Sequence, residues 1–159
     1  MTTSEALKLN LEQVLWGKPW YGEPILNIIS SINFVKAFEK PTWARHSIVE
    51  IVLHMLSWTE EVMDRLNGLN AQTPSSGDWP EPALPDEQKW QTYVNDLRLV
   101  NVNLITVIQN FPCSNWDNLI NDQRENETIT TYKQLVEGFI QHQVYHAGQI
   151  SILQKSKNG

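Results

Sequence analysis

Apolar residues recur along most of the chain at spacings of three and four, the period of a helix that faces a core. Leu7, Leu11, Val14 and Leu15 form the first stripe, over residues 4–16. Gly17, Pro19, Gly22 and Pro24 interrupt it. Pro24 is placed to open a short helical piece from Ile25 to Ile32, because its fixed φ suits a first helical turn. From there to Pro41 the chain reads as irregular. Ser47-Ile48-Val49-Glu50 has the form of a capping box, in which the serine and glutamate side chains satisfy each other's backbone amides. Ile51, Met55, Trp58, Val62 and Leu66 follow it, and Gly68 closes the helix. A further stripe, Trp90, Val94, Leu97, Leu104, Ile108 and Phe111, predicts a helix from Asp86 to Asn110, stopped by Pro112. Asn101 falls where that stripe asks for an apolar residue. Thr131-Tyr132-Lys133-Gln134 is a second capping box, and Leu135, Phe139, His142, His146, Ile150 and Leu153 follow it on one face.

The connections are less regular. Residues 70–85 contain Pro74, Gly77, Pro80, Pro82 and Pro85 and cannot be helix interior. They predict an ordered loop across the outside of the fold, anchored by Trp79 and Leu84. Residues 113–130 are polar, and a structureless loop of that length is uncommon, so a short hairpin is expected there. Nowhere does the sustained alternation of a strand appear. Four long helices with polar connections predict an all-α protein, an antiparallel helix bundle.

Composition narrows the function. A chain of 159 residues is the length of a single domain, 1–159. No apolar run approaches the ~18 residues a membrane span needs. The N-terminus lacks the basic and apolar regions of a signal peptide. The single cysteine, Cys113, excludes an internal disulfide and fits a reducing, cytoplasmic compartment. Twelve basic residues against eighteen acidic ones, with the basic ones scattered singly, leave no footprint for nucleic acid or an anionic membrane.

The candidate chemistry lies in the four histidines, His46, His54, His142 and His146. His142 and His146 stand one helical turn apart on an inward face, so two imidazoles can converge on one ion. Helix bundles build metal sites from side chains on facing helices. A third ligand must come from elsewhere, and His54, one turn from Trp58 in the middle of its helix, is the candidate. Three histidine ligands would leave coordination positions open, as in catalytic rather than structural sites. The same residues also fit a second reading, neutral core histidines with hydrogen-bonded nitrogens, and spacing alone does not choose between the two.

Longer motifs carry a resemblance. His46-Ser47-Ile48-Val49-Glu50-Ile51-Val52-Leu53-His54, continuing through Trp58 to Arg65-Leu66-Asn67-Gly68, resembles the second helix of the DinB-like family of metal-dependent enzymes. His142-Gln143-Val144-Tyr145-His146-Ala147-Gly148-Gln149-Ile150 is similar to that family's closing pattern, H-x-x-x-H-x-G-Q-I. Pro19-Trp20-Tyr21-Gly22 and Asp78-Trp79-Pro80 are similar to one branch of it. The resemblance implies a four-helix bundle with up-down-down-up topology. It also implies a divalent metal, zinc or nickel most often, held by His54, His142 and His146, and a homodimer. Bacillithiol S-transferases and mycothiol-dependent maleylpyruvate isomerases are characterised members. For this chain it implies hydrolysis or thiol transfer on a small molecule. It reaches neither the substrate nor a thiol-cofactor fingerprint, and no catalytic acid or base is assigned. The alternative is a non-catalytic, dimerising or ligand-binding helical module.

Other residues carry expectations of their own. Glu50 is read as a capping residue, with a bond to His54 as the alternative. His46 is read as packing on the turn, with a pocket-lining role as the alternative. Glu61 is expected to be solvated, with a general-base role as the alternative. Asn101 is expected to bond inside the bundle near the metal, or to a water. Tyr145 is assigned to packing or a dimer contact. Gly148 is expected to permit a close helix approach, and Cys113 to be solvated and idle. Trp20, Tyr21, Trp43, Trp79 and Trp90 are read as loop anchors, with one or two in a substrate cleft.

Overall fold

The computed structural model describes residues 1–157. Those residues are all-helical: six α-helices, one 3₁₀ turn and no strand. The helices are α1 (Thr3–Trp16), α2 (Ile25–Ser30), α3 (Phe34–Phe38), α4 (Ile48–Leu66), α5 (Glu87–Asn110) and α6 (Tyr132–Lys155). Both predicted capping boxes form. Ser47 accepts from the Glu50 amide and Glu50 from the Ser47 amide; Thr131 and Gln134 do the same at α6. A third box, Thr2 with Glu5, starts α1.

The short α3 lies in the stretch read as irregular. Asn33 caps it by accepting from the Lys36 amide at 2.9 Å. Lys36 Nζ in turn donates to the Ser156 carbonyl at 2.7 Å, holding α3 against the end of α6.

The long helices α4 and α1 each pack on both α5 and α6. Between them lies a continuous apolar core. Leu7, Leu11 and Leu15 come from α1, Val52, Met55 and Val62 from α4, Leu97, Leu104 and Ile108 from α5, and Val136, Phe139 and Ile150 from α6. These are the stripe positions or their immediate neighbours, so the helical period selected the buried face. Trp90 fills the core with its indole N–H donating to the Ile32 carbonyl at 2.8 Å. Trp116 does likewise toward Ser4 Oγ at 3.0 Å. Each indole is buried with its one polar atom paired.

The connections depart from expectation. The hairpin expected in residues 113–130 reduces to the 3₁₀ turn Cys113–Asn115 and one isolated antiparallel bridge, Leu119 to Thr131. The loop before α5 is ordered, but Leu84 is exposed and does not anchor it. Trp20 and Trp43 are exposed too, whereas Trp90 is buried and Trp79 packs on two imidazoles. Gly148 faces open space, so it does not serve a close helix approach. Among the described residues no helix is long and apolar enough to cross a membrane.

Candidate metal centre

The capping box at Ser47 sets where α4 begins, and two turns later it delivers His54 to the interior, 5% exposed. From α6, His142 and His146 reach the same point. His54 Nε2 is 3.0 Å from His142 Nε2, and His146 Nε2 is 3.1 Å from the same atom. Three nitrogens bound to one ion at about 2.0–2.1 Å each stand roughly 3 Å apart, so the spacing matches a shared cation.

The far sides of two rings fix the tautomers. His54 Nδ1 lies 2.6 Å from the Asp78 carbonyl oxygen, which can only accept, so that nitrogen carries the proton. His146 Nδ1 similarly donates to Gln149 Oε1 at 2.6 Å, and the Gln149 amide donates on to the Tyr145 hydroxyl at 3.3 Å. Both Nε2 atoms therefore present lone pairs toward His142. One proton on His142 Nε2 satisfies one of these lone pairs in full at a time, whereas a cation between the rings satisfies all of them together. The donor set fits a divalent transition metal of the kind that imidazole nitrogens bind.

Electrostatics favour the same state. Burial, reinforced by the neighbouring His146 and His54, pulls the His142 pKa down to about 4. Burial also lowers that of His146, against the hydrogen bond to Gln149. A neutral imidazole is the form that ligates.

A loop closes one side. Trp79 stacks on His54 at 3.9 Å and 12°, and His46 stacks on the other face of the same indole at 3.6 Å and 1°. Asp78 Oδ1 accepts from Trp58 Nε1 at 2.7 Å. His46 thus stands one ring away from the cluster, behind Trp79. Asp78, Trp79 and Gln149 are the partners that periodicity missed. Gln149 lies in the quoted closing pattern, but the two loop residues carry no local pattern that ties them to a histidine 24 positions away.

Other assigned residues fall outside the cluster. Glu50 serves the cap, accepting from the Ser47 amide at 2.6 Å, and reaches Lys40 and His46 rather than His54. Glu61 is not solvated: it is 1% exposed, and its Oε1 accepts from Arg65 Nε at 2.7 Å and the Gln72 amide at 2.9 Å. Its helix position turns it inward beside a cation that pairs with it. Asn101 donates into its own helix, to the Leu97 carbonyl at 2.8 Å. Cys113 is free and exposed.

A family model described as the DinB superfamily matches residues 27–150, a span that contains all four histidines. Comparison with curated proteins and with solved structures gave no match.

Proposed function

Because this chain belongs to the DinB superfamily and brings three imidazole nitrogens to one point, we propose that it is a metal-dependent enzyme acting on a small molecule. The observation that carries the reading is the convergence of the Nε2 atoms of His54, His142 and His146 at 3.0 and 3.1 Å. A divalent ion on these ligands, zinc or nickel, supplies a Lewis acid that lowers the pKa of a water or thiol toward neutrality. Hydrolysis and thiol transfer both draw on that capability. His54 and His146 keep their Nε2 lone pairs inward through the Asp78 carbonyl and Gln149. Trp79 excludes water from one side.

A cavity of about 200 Å³ lies beside His46 and Gln149, lined also by Trp43, Ile51 and Ile152. The wider reading is a single domain over 1–159, an up-down-down-up four-helix bundle, a homodimer, and a cytoplasmic location without a nucleic-acid or membrane partner. Packing of α1 and α4 on the same two helices supports the bundle.

Metal analysis of protein purified without a histidine tag tests the proposal. One divalent ion per chain is expected, and most of it is lost in His142→Ala and in His146→Ala. Full metal content in both variants, or none in the wild type, leaves the non-catalytic helical module as the reading.

A further inference from the structure

The three histidines are not held alike. His142 and His146 share a helix turn, and His146 is oriented from within α6 by Gln149, three residues on. His54 comes across from α4, and no side chain of its own helix bonds its ring nitrogens directly. Two groups of the loop between α4 and α5 hold it instead. The Asp78 carbonyl accepts from Nδ1 at 2.6 Å, with Asp78 Oδ1 3.3 Å from the same nitrogen, and so decides which nitrogen is left bare. The Trp79 indole lies nearly parallel to the imidazole at 3.9 Å and so sets the plane of the ring.

Both groups are themselves braced. His46 stacks on the outer face of Trp79 at 3.6 Å. Trp58, one turn beyond His54 on α4, donates its indole N–H to Asp78 Oδ1 at 2.7 Å. That bond pins the loop residue whose carbonyl reaches His54. The Asp78 side chain is half exposed, so burial is not what keeps it there.

We infer that Asp78, held by Trp58, and Trp79, held by His46, are the positioning residues of His54: the loop, and not α4 alone, aims the third imidazole at the ion. The inference rests on the metal reading above. It makes the hydrogen bond from Trp58 a determinant of metal affinity although Trp58 is not a ligand. Partners of this kind commonly set metal affinity by about 10–100-fold.

Titration of the tag-free protein with Co²⁺, followed by its visible absorption, tests this. Asp78→Ala and Trp58→Phe are each expected to weaken Co²⁺ binding by about 10–100-fold and to shift the absorption bands. Circular dichroism and the melting temperature check that each variant folds. The double variant is expected to lose no more than Asp78→Ala alone, which removes the bond from Trp58 together with the 3.3 Å approach of Asp78 Oδ1 to His54 Nδ1. Asp78→Asn keeps an acceptor for the indole and is expected to bind like wild type. Wild-type affinity and spectrum in both Asp78→Ala and Trp58→Phe would overturn the inference while leaving the metal reading intact. So would losses that add in the double variant. A wild-type protein that takes up no Co²⁺ defeats the metal reading itself.

Discussion

At the scale of single residues, His54 separates a ligand from a core histidine. The residue is 5% exposed, yet its Nδ1 donates to the Asp78 carbonyl and its Nε2 faces His142 Nε2 at 3.0 Å rather than filling apolar space. Trp90 is a contrasting case, 1% exposed and surrounded by the core. Trp90→Ala is expected to cost about 3–5 kcal/mol, as emptied aromatic sites do. His54→Ala should cost clearly less, while reducing metal binding strongly. Chemical denaturation of both variants beside a metal titration measures the order; the reverse order makes His54 a packing residue. His142 adds a pH dependence. In the unfolded chain its pKa is about 6.5, and in the folded, metal-free protein burial holds it near 4. Between those values the unfolded chain binds more protons, so stability rises with pH across that window and falls as pH drops through it. Metal-free protein should therefore lose stability from pH 6.5 to pH 4 more steeply than His142→Gln, as read from denaturation midpoints. Equal slopes would show that the folded state does not disfavour the protonated ring.

At the scale of elements, the loop between α4 and α5 is clamped at its start as well as at the site. Glu61 and Arg65, one turn apart on α4, grip the Gln72 amide at 2.9 Å and the Gln72 carbonyl at 3.0 Å. Removing one partner of a buried pair strands the other charge, at a cost of about 3–5 kcal/mol. Glu61→Ala is expected to fall near the lower end of that range, since Arg65 keeps the Gln72 carbonyl, and Glu61→Leu with Arg65→Met should recover much of the loss. Urea denaturation of the two variants checks this; a single variant as stable as wild type would show that the clamp does not hold the loop. The sequence displayed the helices on either side of this loop plainly. Ser47 with Glu50 and Thr131 with Gln134 are local patterns, and the apolar period survives over many turns. It hid what depends on contact at a distance. Glu61 looks like any surface carboxylate until its partners are known, and Asp78 and Trp79, legible as a motif with Pro80, show their bearing on His54 only when the fold sets them against it. The five residues of α3 are too few to show a period. The polar stretch before α6 was expected to pair as a hairpin and makes a single bridge, because its length is spent on the 3₁₀ turn and on holding Ala71 through the Asn121 carbonyl.

At the scale of the whole molecule, charge limits what the protein meets. Eighteen acidic residues against twelve basic ones give a net charge of −6. Several of the basic side chains are already engaged within the fold: Arg65 with Glu61, Arg124 with Asp122, Lys36 with Glu39 and Lys40 with Glu50. Binding to a nucleic-acid backbone draws its free energy from cations that displace condensed counterions, and its strength grows with the number of phosphates neutralised. A chain whose cations are few and partly paired, and whose overall field repels a polyanion, has little to contribute on that scale. The cations that remain are not gathered into a stripe along one helix. Duplex DNA at physiological salt is therefore expected to bind more weakly than about 10⁻⁴ M, the weak end of ordinary non-specific association. Fluorescence anisotropy with a labelled duplex measures it. Micromolar affinity that falls steeply with added salt would overturn that expectation.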